Sequence, residues 1–335
     1  MTIDYGINSH LDENGAPKII NRIYTVDERF HGFRADLFLK QKIPRLSRNR
    51  LQKYIKLLTT RDQKSIKPHT KVFKGDELLM VMEARQEPPC PRTYTCLYED
   101  DEIMVVDKPS GLPVHSSAKF YFNTLIRVLF EHYPDKRMHL CHRLDRETSG
   151  CIVIAKNKKA AGILKQDFKK RLPQKTYTAL VLGHPPWQEK TLLNYPLDLV
   201  PKERGMPNRM EVREDGLESS TEVLNIESTV HGTLVQCRLL TGRQHQIRVH
   251  CHHAGYPIVG DKLYTHGDEA FKKYCKEGLT QELHGMFKLR RHALHASQIV
   301  FKHPTSGVTI KAVAPLPKEI EHFLRTGTDT DDALF

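Results

Sequence analysis

The sequence predicts an α+β fold, because strand-like and helix-like segments follow one another in mixed order and not in strict alternation. Two strand patterns, Val223–Ile226 and Leu234–Leu240, are separated by a turn near His231-Gly232, which is typical of an antiparallel hairpin. A proline-rich segment, Glu87–Pro91, disfavours both helix and strand pairing, so it divides the chain into a small and a large region. Together these features favour α+β over a doubly wound parallel sheet.

The small region begins with a polar leader over residues 1–21 that shows no clear period. Arg34–Lys42 carries apolar residues at helical spacing and predicts a helix. Ser47 is a good N-cap residue and predicts the start of a second helix. The apolar face of that helix is made of Leu51, Tyr54, Ile55 and Leu58. Lys74–Asp76 then predicts a turn into a strand over Glu77–Met82.

The large region contains several segments with clear periods. Glu102–Val106 predicts a short strand, and Lys158–Arg171 predicts a helix that ends before Pro173. Thr176–Leu182 predicts a further strand. The stretch Tyr264–Arg290 is polar and aperiodic, so we expect an insertion loop there.

Composition describes an ordinary globular chain of 335 residues, with 39% hydrophobic and 27% charged residues. No apolar stretch reaches the length of a membrane span, and Met1–Asn8 lacks the basic region and apolar core of a signal peptide. The seven cysteines are odd in number and show no framework spacing, which fits reduced thiols. We therefore expect a cytoplasmic protein with no membrane contact.

The net charge of +12 is concentrated near the N-terminus. Arg34–Lys74 contains thirteen Lys or Arg and only two acidic residues, whereas the rest of the chain has 39 basic and 38 acidic residues. A basic segment of this density is expected in a protein that binds a polyanion such as RNA. A solvated basic surface without a partner is the alternative.

Asp145 is the strongest candidate for chemistry. It lies between Arg143 and Arg146, just before the apolar run Cys151–Ala155, which predicts a fully buried strand. Nearby cations favour the ionised carboxylate, and a carboxylate nucleophile must be ionised. A structural salt bridge at the strand end explains the same spacing, so spacing alone does not decide between the two roles.

A second candidate segment follows Thr241, which predicts the N-cap of a helix that runs to Ala254 and stops at Gly255. A metal-dependent hydrolase is a rival interpretation of this helix, because it carries the chain's densest group of metal-capable side chains. These are His245, His250, Cys251, His252 and His253. Their spacing matches neither H-E-x-x-H nor paired C-x-x-C ligands, so we expect no metal and no other cofactor.

The segment His142–Gly150, HRLDRETSG, resembles the signature of the RluA-type pseudouridine synthases. Further blocks resemble the same family in the same order and extend the likeness from about Tyr94 to Pro317. They are Asp107–His115, Lys175–Tyr177, Leu240–His250, Gly255–Asp261, Ala293–Ala296 and His303-Pro304. The resemblance implies the pseudouridine synthase fold, a mixed and largely antiparallel sheet with flanking helices.

The resemblance also implies roles for individual residues. Asp145 matches the family's nucleophile, Arg248 its basic partner and Tyr177 its active-site tyrosine. On the predicted helix, Gln244, Arg248 and His252 share one face, which places Arg248 where it keeps Asp145 anionic. The expected substrate-binding residues are Arg143, Arg146, His142, Arg243 and His245.

The basic N-terminal region resembles the alpha-L RNA-binding domain that is shared with a small-subunit ribosomal protein and often precedes such catalytic domains. The matching segments are Arg34–Leu39, Leu46–Ile55 and Gly75-Asp76. The sequence departs from that domain over Leu57–Lys67, where the usual Asn-Gly hairpin is missing. The resemblance implies RNA contacts by Arg45, Arg48, Arg50 and Lys53.

The sequence thus predicts an isomerase that converts uridine to pseudouridine in structured RNA, either large-subunit ribosomal RNA or transfer RNA, with the uridine flipped out of its stack. The expected partners are RNA and ribosomal precursor particles, without an obligate protein partner. An RNA-binding protein without catalysis is the alternative of a different class, and a product assay separates the two. The predicted domains are a leader (1–21), an alpha-L-like domain (22–86), a linker (87–93), a catalytic domain (94–320) and a tail (321–335).

Overall fold

A computed structural model describes residues 5–43, 56–59, 65–117, 119–204, 206 and 208–330. The chain divides into two compact units, one formed by Ile7–Glu87 and the other by Met1–Gly6 with Pro88–Phe335. No helix in the described ranges has the length and apolar character needed to cross a bilayer.

The smaller unit contains β1 (Ile19–Thr25), α1 (Ala35–Lys42), β2 (Lys56–Thr59) and β3 (Glu77–Glu83). Its antiparallel sheet has the order β1-β3-β2. Phe38 and Leu39 of α1 pack with Leu78 and Met80 of β3 in a small core. The helix predicted at Arg34–Lys42 and the strand predicted at Glu77–Met82 are therefore confirmed.

One expectation for the smaller unit is wrong, and another concerns residues outside the described ranges. The leader was predicted to be loose up to residue 21, but β1 begins at Ile19 and pairs with β3. Ile19 and Ile23 lie on the exposed side of this strand while Arg22 lies on the half-buried side, so its sequence lacks the usual amphipathic alternation. The helix predicted from Ser47 and the four basic residues of the expected RNA contact, Arg45, Arg48, Arg50 and Lys53, lie outside the described residues. Leu58, predicted on that helix, lies in β2.

The larger unit is built on one main sheet and a small two-stranded sheet, with helices around them. Its strands are β4 (Thr95–Glu99), β5 (Ile103–Lys108), β6 (His139–Leu140), β7 (Ser149–Ala155), β8 (Gln174–Val181), β9 (Thr191–Asn194), β10 (Leu197–Leu199), β11 (Met210–Val212), β12 (Ser220–Thr229), β13 (Gly232–Leu239), β14 (Leu294–Lys302) and β15 (Thr309–Val313). Its helices are α2 (Leu125–His132), α3 (Lys158–Lys169), α4 (Gln246–His253), α5 (Gly267–Glu277), α6 (Gln281–Phe287) and α7 (Lys318–Thr326).

The main sheet has the order β4-β5-β7-β14-β8-β13-β12-β9, with β6 on β7 and β15 on β14. Among the strand pairs of the described residues, β7–β14 is parallel and the other pairs are antiparallel. The predicted α+β class with a mixed, largely antiparallel sheet is confirmed. The β12–β13 hairpin is also confirmed.

Both faces of the sheet centre are covered, which explains the continuous apolar run of β7. Ile152 and Ile154 point into one hydrophobic cluster, and Cys151 and Val153 point into another on the opposite face. Such a strand reads as an unbroken apolar segment because neither face meets water. Ser149 and the loop before it thereby become a rigid base for Asp145.

Two expectations for the larger unit are wrong. The insertion at Tyr264–Arg290 contains the helices α5 and α6 instead of a loop. Thr280 caps α6 by accepting a hydrogen bond from the backbone N of Leu283, and Leu283 and Phe287 are buried one turn apart. The catalytic domain does not end at residue 320, since α7 continues to Thr326 and buries Phe323 and Leu324.

Gly150 marks the closest approach of β7 to β14. Its φ is +109°, and a Cβ there would lie 2.3 Å from the backbone oxygen of Ala296. We expect Gly150→Ala to lower the free energy of unfolding by roughly 2–5 kcal/mol, because both the backbone angle and the clash with a fixed strand oppose it. Urea denaturation measures this change.

Gly162 provides the matched control. It lies on the exposed face of α3 with nothing within 4 Å of the added carbon, so Gly162→Ala should raise stability by up to about 1 kcal/mol. Equal stability of Gly150→Ala and the wild type would contradict the close parallel contact between β7 and β14.

Candidate active site

Asp145 lies in the short loop between β6 and β7, and the backbone of this loop is held on both sides of the residue. Thr148 N donates to Asp145 O at 3.2 Å, and Gly111 N donates to Arg146 O at 2.9 Å. On the C-terminal side, the Glu147 carboxylate accepts from Lys262 Nζ at 2.9 Å and from His292 N at 3.1 Å. These bonds fix the position of the carboxylate that the sequence singled out.

The buried side chain of Lys108 also holds this loop in place. It is fully buried, and its Nζ donates to the backbone oxygens of Pro109, Leu112 and Arg146 at 2.8, 2.9 and 3.1 Å. Burial lowers the pKa of Lys108 to about 7, but three carbonyl acceptors require three N–H donors and so favour the ammonium form. Its place in the Asp107–His115 block could have signalled this role.

Arg248 on α4 joins Asp145 to a second carboxylate. Its Nη1 donates to Asp145 Oδ2 at 2.9 Å, while its Nε and Nη2 donate to the two oxygens of Asp261 at 2.6 and 2.9 Å. Asp261 Oδ1 also accepts from the backbone N of Leu263 and Tyr264. The structure thus places Arg248 against Asp145 as predicted, and it adds Asp261, which the sequence analysis did not assign to the site.

The division of these bonds leaves Asp145 available for reaction. The contacts of Arg248 and His245 both involve Oδ2, and Oδ1 accepts no side-chain hydrogen bond from the described residues. The side chain keeps 22% exposure, whereas that of Asp261 is fully buried. Oδ1 is therefore the oxygen that an incoming molecule can reach.

The charges around Asp145 keep it ionised. Burial alone would raise the pKa of Asp145, but His245, Arg248 and His292 lower it below its ordinary value. Burial lowers the pKa of His245 to about 4 and that of His292 to about 3, so both rings are neutral near pH 7. Arg248 is then the cation that stabilises the Asp145 carboxylate at neutral pH.

His245 precedes α4 in a left-handed conformation, with a φ of +54°. A non-glycine residue rarely adopts this angle, and such residues are often found at functional sites. The expected cap by Thr241 is wrong, because the helix begins at Gln246. The Thr241 hydroxyl instead donates to Gln246 Oε1 at 2.7 Å. The stop at Gly255 is confirmed by its φ of +89° just beyond the helix.

Tyr264 fixes the tautomer of His245. The Tyr264 oxygen accepts from Met210 N at 3.0 Å and lies 2.9 Å from His245 Nδ1. The phenol is buried, so its own proton needs an acceptor, and Nδ1 is the acceptor beside it. The proton of the neutral imidazole is then on Nε2, which lies 3.8 Å from Asp145 Oδ2.

Tyr177 on β8 also lies in this region. Its side chain is 7% exposed within the main hydrophobic cluster. Burial raises the pKa of the Tyr177 phenol well above its ordinary value, and the negative charge of Asp145 adds to the shift. The hydroxyl is therefore neutral at any physiological pH.

The other predicted substrate-binding residues divide into two groups. Arg143 is exposed, and its charge contributes to lowering the pKa of both His115 and His245, which places it at the rim of the site. Arg146 Nη2 donates to Glu147 Oε1 at 3.1 Å and to the Tyr274 hydroxyl at 3.4 Å.

His142 and Arg243 make contacts that point elsewhere. His142 Nε2 accepts from Val153 N at 2.9 Å, and its ring stacks on Phe168 of α3. The His142 ring thus completes the backbone bonding beside β7, and its expected substrate contact stays a prediction. Arg243 Nε donates to Glu218 O at 3.2 Å.

The histidines of α4 do not form a metal site. His250 Nε2 bonds the backbone oxygen of Tyr195 at 3.0 Å, and His245 bonds Tyr264. Throughout the residues that the structure covers, no three His, Cys, Asp or Glu side chains are grouped so that they could hold a metal ion.

The proposed tautomer of His245 can be measured directly. We expect ¹⁵N spectra of histidine-labelled protein to show the His245 proton on Nε2, and to show no titration of this ring between pH 7 and 5, since its pKa is lowered to about 4. His245→Asn assigns the signal, because Asn tolerates the left-handed backbone.

Tyr264→Phe is the matched test, since it keeps the ring and removes only the hydroxyl. It should allow both tautomers of His245 to appear. A wild-type His245 with its proton on Nδ1, or one that titrates near its ordinary pKa, would contradict this hydrogen-bond assignment.

Comparison with known proteins bears on the same residues. Residues 102–253, which include Asp145, Tyr177 and Arg248, match the family model described as RNA pseudouridylate synthase. "Ribosomal large subunit pseudouridine synthase D" of Xanthomonas campestris is 35% identical over 304 residues, covering 88% of this chain and 88% of that protein. "Ribosomal large subunit pseudouridine synthase C" of Vibrio cholerae is 31% identical, covering 89% of this chain and 94% of that protein.

A solved structure shows the same fold. "Human RNA Pseudouridylate Synthase Domain Containing 4" superposes with a TM-score of 0.54 and 27% sequence identity, covering 68% of this chain and 90% of that one.

Proposed function

Because this chain belongs to the RNA pseudouridylate synthase family, we propose that it isomerises uridines of large-subunit ribosomal RNA with Asp145 as the nucleophile. Membership makes the chain an RNA pseudouridine synthase, which is an isomerase. The observation that carries the proposed mechanism is the Asp145–Arg248–Asp261 arrangement, in which a buried cation orients one oxygen of Asp145 and leaves the other open.

The reaction breaks the bond between N1 of uracil and C1′ of ribose and forms a bond between C5 and C1′. The proton on C5 is removed, and N1 gains a proton, so no electrons and no water are consumed. Oδ1 of Asp145 attacks either C6 of the uracil or C1′ of the ribose, and the residues support both routes. In either route the carboxylate has to be anionic at the start, which the lowered pKa of Asp145 provides.

Arg248 and His245 orient the nucleophile through the same oxygen. Arg248 keeps its positive charge because Asp261 shares it, and burial without that partner would be costly. The Nε2–H of His245 faces Asp145 Oδ2 from a second direction. Together they favour the anion and direct Oδ1 towards the substrate.

Tyr177 contributes a stacking face and a neutral hydroxyl. The detached uracil needs a surface to hold it while it turns, and an aromatic ring provides one. Since the raised pKa excludes a phenolate at neutral pH, the hydroxyl cannot act as a free base. The Tyr177 oxygen can accept the C5 proton only if the hydroxyl proton passes to another group. The Asp145 carboxylate, once it is released from the substrate, is a nearby anion that can accept this proton.

The target uridine has to leave its stack to reach Asp145, since the side chain of this residue is only 22% exposed. Extrusion of a base costs a few kcal/mol. Arg143, exposed at the rim, can grip the flanking phosphate or fill the vacated space. The names of the relatives point to large-subunit ribosomal RNA as the substrate, and the basic segment 34–74 supports an RNA partner.

The decisive experiment maps pseudouridines in large-subunit ribosomal RNA from cells with and without this gene. We expect one or more pseudouridines to be missing from the RNA of cells without the gene. Incubation of that RNA with the purified protein should restore them. Unchanged modification of this RNA in both cell lines would reject the proposed substrate.

Asp145→Asn should abolish product formation while RNA affinity stays near that of the wild type. Asparagine keeps the shape and lacks the attacking anion, so the loss belongs to the chemical step. Single-turnover rates and filter binding measure the two quantities. Asp135→Asn, at an exposed position in the loop before β6, is the control and should retain activity. Substantial product from Asp145→Asn would remove Asp145 as the nucleophile.

Tyr177→Phe separates the ring from the hydroxyl. The stacking face remains, so affinity should be unchanged, whereas loss of the proton relay should slow the single-turnover rate by about 100-fold, within the usual range for acid–base assistance. Because the Tyr177 side chain is only 7% exposed, a thermal unfolding scan serves as the control for folding. A rate near that of the wild type would assign stacking alone to Tyr177.

A further inference from the structure

We propose that the exposed face of α3 and the turn after it form a phosphate-binding surface that holds the RNA next to the target uridine. This surface, the α3 cationic surface, consists of Arg137, Lys158, Lys159, Lys165, Lys169, Lys170, Arg171 and Lys175. The inference rests on the proposed function, since it assumes RNA as the substrate. It adds a contact region within the catalytic unit to the one expected near the N-terminus.

The helix separates apolar and basic residues cleanly. Ala161 and Leu164 are buried against β7, whereas all four lysines of the helix are exposed. Lys158, Lys165 and Lys169 follow one line along the helix, because their spacings of seven and four residues are near whole turns. This line rises about 16 Å from first to last. It can therefore contact several consecutive phosphates.

The charges of this surface are not neutralised by the protein. In the ranges that the structure describes, none of the eight cations lies within 4.0 Å of a carboxylate, whereas Arg248, Lys262 and Arg291 are each paired. Asp167, the acidic residue of α3, is only half-buried but makes no ion pair there. Eight exposed or half-exposed cations without partners favour an external polyanion.

The surface reaches the active site at one end. Lys175 lies near the start of β8, two residues before Tyr177. A Cβ on Gly242 would lie 3.3 Å from Lys175 Nζ, which puts this ammonium beside the loop that leads to His245. Burial lowers the pKa of Lys175, and the charge of Arg171 adds to the shift, so the two cations are near neighbours.

The other end is formed by the segment before β6. Burial lowers the pKa of His139, and the charges of Lys165, Arg137 and Lys158 add to this shift, so all three cations lie near this imidazole. The surface thus includes Arg137 before β6, the lysines of α3, and Lys175 beside the loop that leads to His245.

Its composition favours RNA over a protein partner. Protein interfaces are rich in aromatic side chains and poor in lysine at their centre. Here six of eight residues are lysines, and the exposed apolar neighbours are Ile163 and Leu172. Lysine and arginine that contact phosphates position a nucleic acid without reading its sequence.

The test compares two triple variants of the full-length protein. Lys165→Gln with Lys169→Gln and Lys170→Gln removes three charges from the surface and keeps helix propensity. Lys302→Gln with Lys311→Gln and Lys318→Gln removes three exposed charges from β14, β15 and α7 and is the control. Thermal unfolding verifies that both variants fold. If the α3 triple variant does not fold, Lys165→Gln alone replaces it.

Affinity is measured for an in-vitro transcript of large-subunit ribosomal RNA over a range of KCl concentrations. Three lost phosphate contacts should flatten the slope of log affinity against log salt by roughly 2–3 units, and Lys165→Gln alone by a third of that. The control triple variant should keep the wild-type slope. At saturating RNA, the first variant should turn over at the wild-type rate.

The outcomes separate this inference from the proposed function. If the wild type forms no pseudouridine in the transcript, the proposed substrate fails, whatever the slopes are. If product forms and the α3 variant keeps the wild-type slope, the RNA does not contact this surface. Equal flattening by both triple variants would also overturn the proposal, because net charge alone would then explain it.

Discussion

The bidentate pair between Arg248 and Asp261 is the interaction on which the site depends. The buried guanidinium of Arg248 is stable only with a fixed counter-charge. Asp261 supplies this charge, and both of its carboxylate oxygens accept hydrogen bonds from Arg248. The third direction of the guanidinium is then available to Asp145. The two carboxylates on one cation leave one negative charge for chemistry.

The surrounding loop is arranged so that this charge stays in place. Lys108 fixes the backbone on one side of Asp145 through Arg146 O, and Lys262 fixes the carboxylate of Glu147 on the other. Burial would raise the pKa of Glu147, but Lys262, His292 and Arg146 lower it to about 2. Charged groups thus hold the loop around Asp145, whereas His245 and Tyr177 are neutral near pH 7. This separation suits a reaction in which protons move but no net charge accumulates.

Sequence alone predicted the elements whose pattern is local. The apolar run of β7, the amphipathic α3 and the β12–β13 hairpin carry their structure in adjacent residues. It failed where distant contacts decide: β1 exposes its isoleucines, and α5 has few apolar residues to reveal its period. The motif resemblance brought Asp145 and Arg248 together, but their link through Asp261 and the contact of Tyr264 with His245 depend on chain segments that sequence spacing cannot bring together.

The parallel pairing of β7 with β14 has a consequence for how the enzyme is made. One neighbour of β7 is β5, which is synthesised before it, but the other is β14, which begins at Leu294. Thr148 likewise meets His292 across 144 residues of chain. Such long-range contacts form late, since a large loop must close first. When the chain has been synthesised as far as Arg248, β14 and His292 are therefore still missing beside the Asp145 loop. The nascent enzyme remains inactive until these last segments have been synthesised.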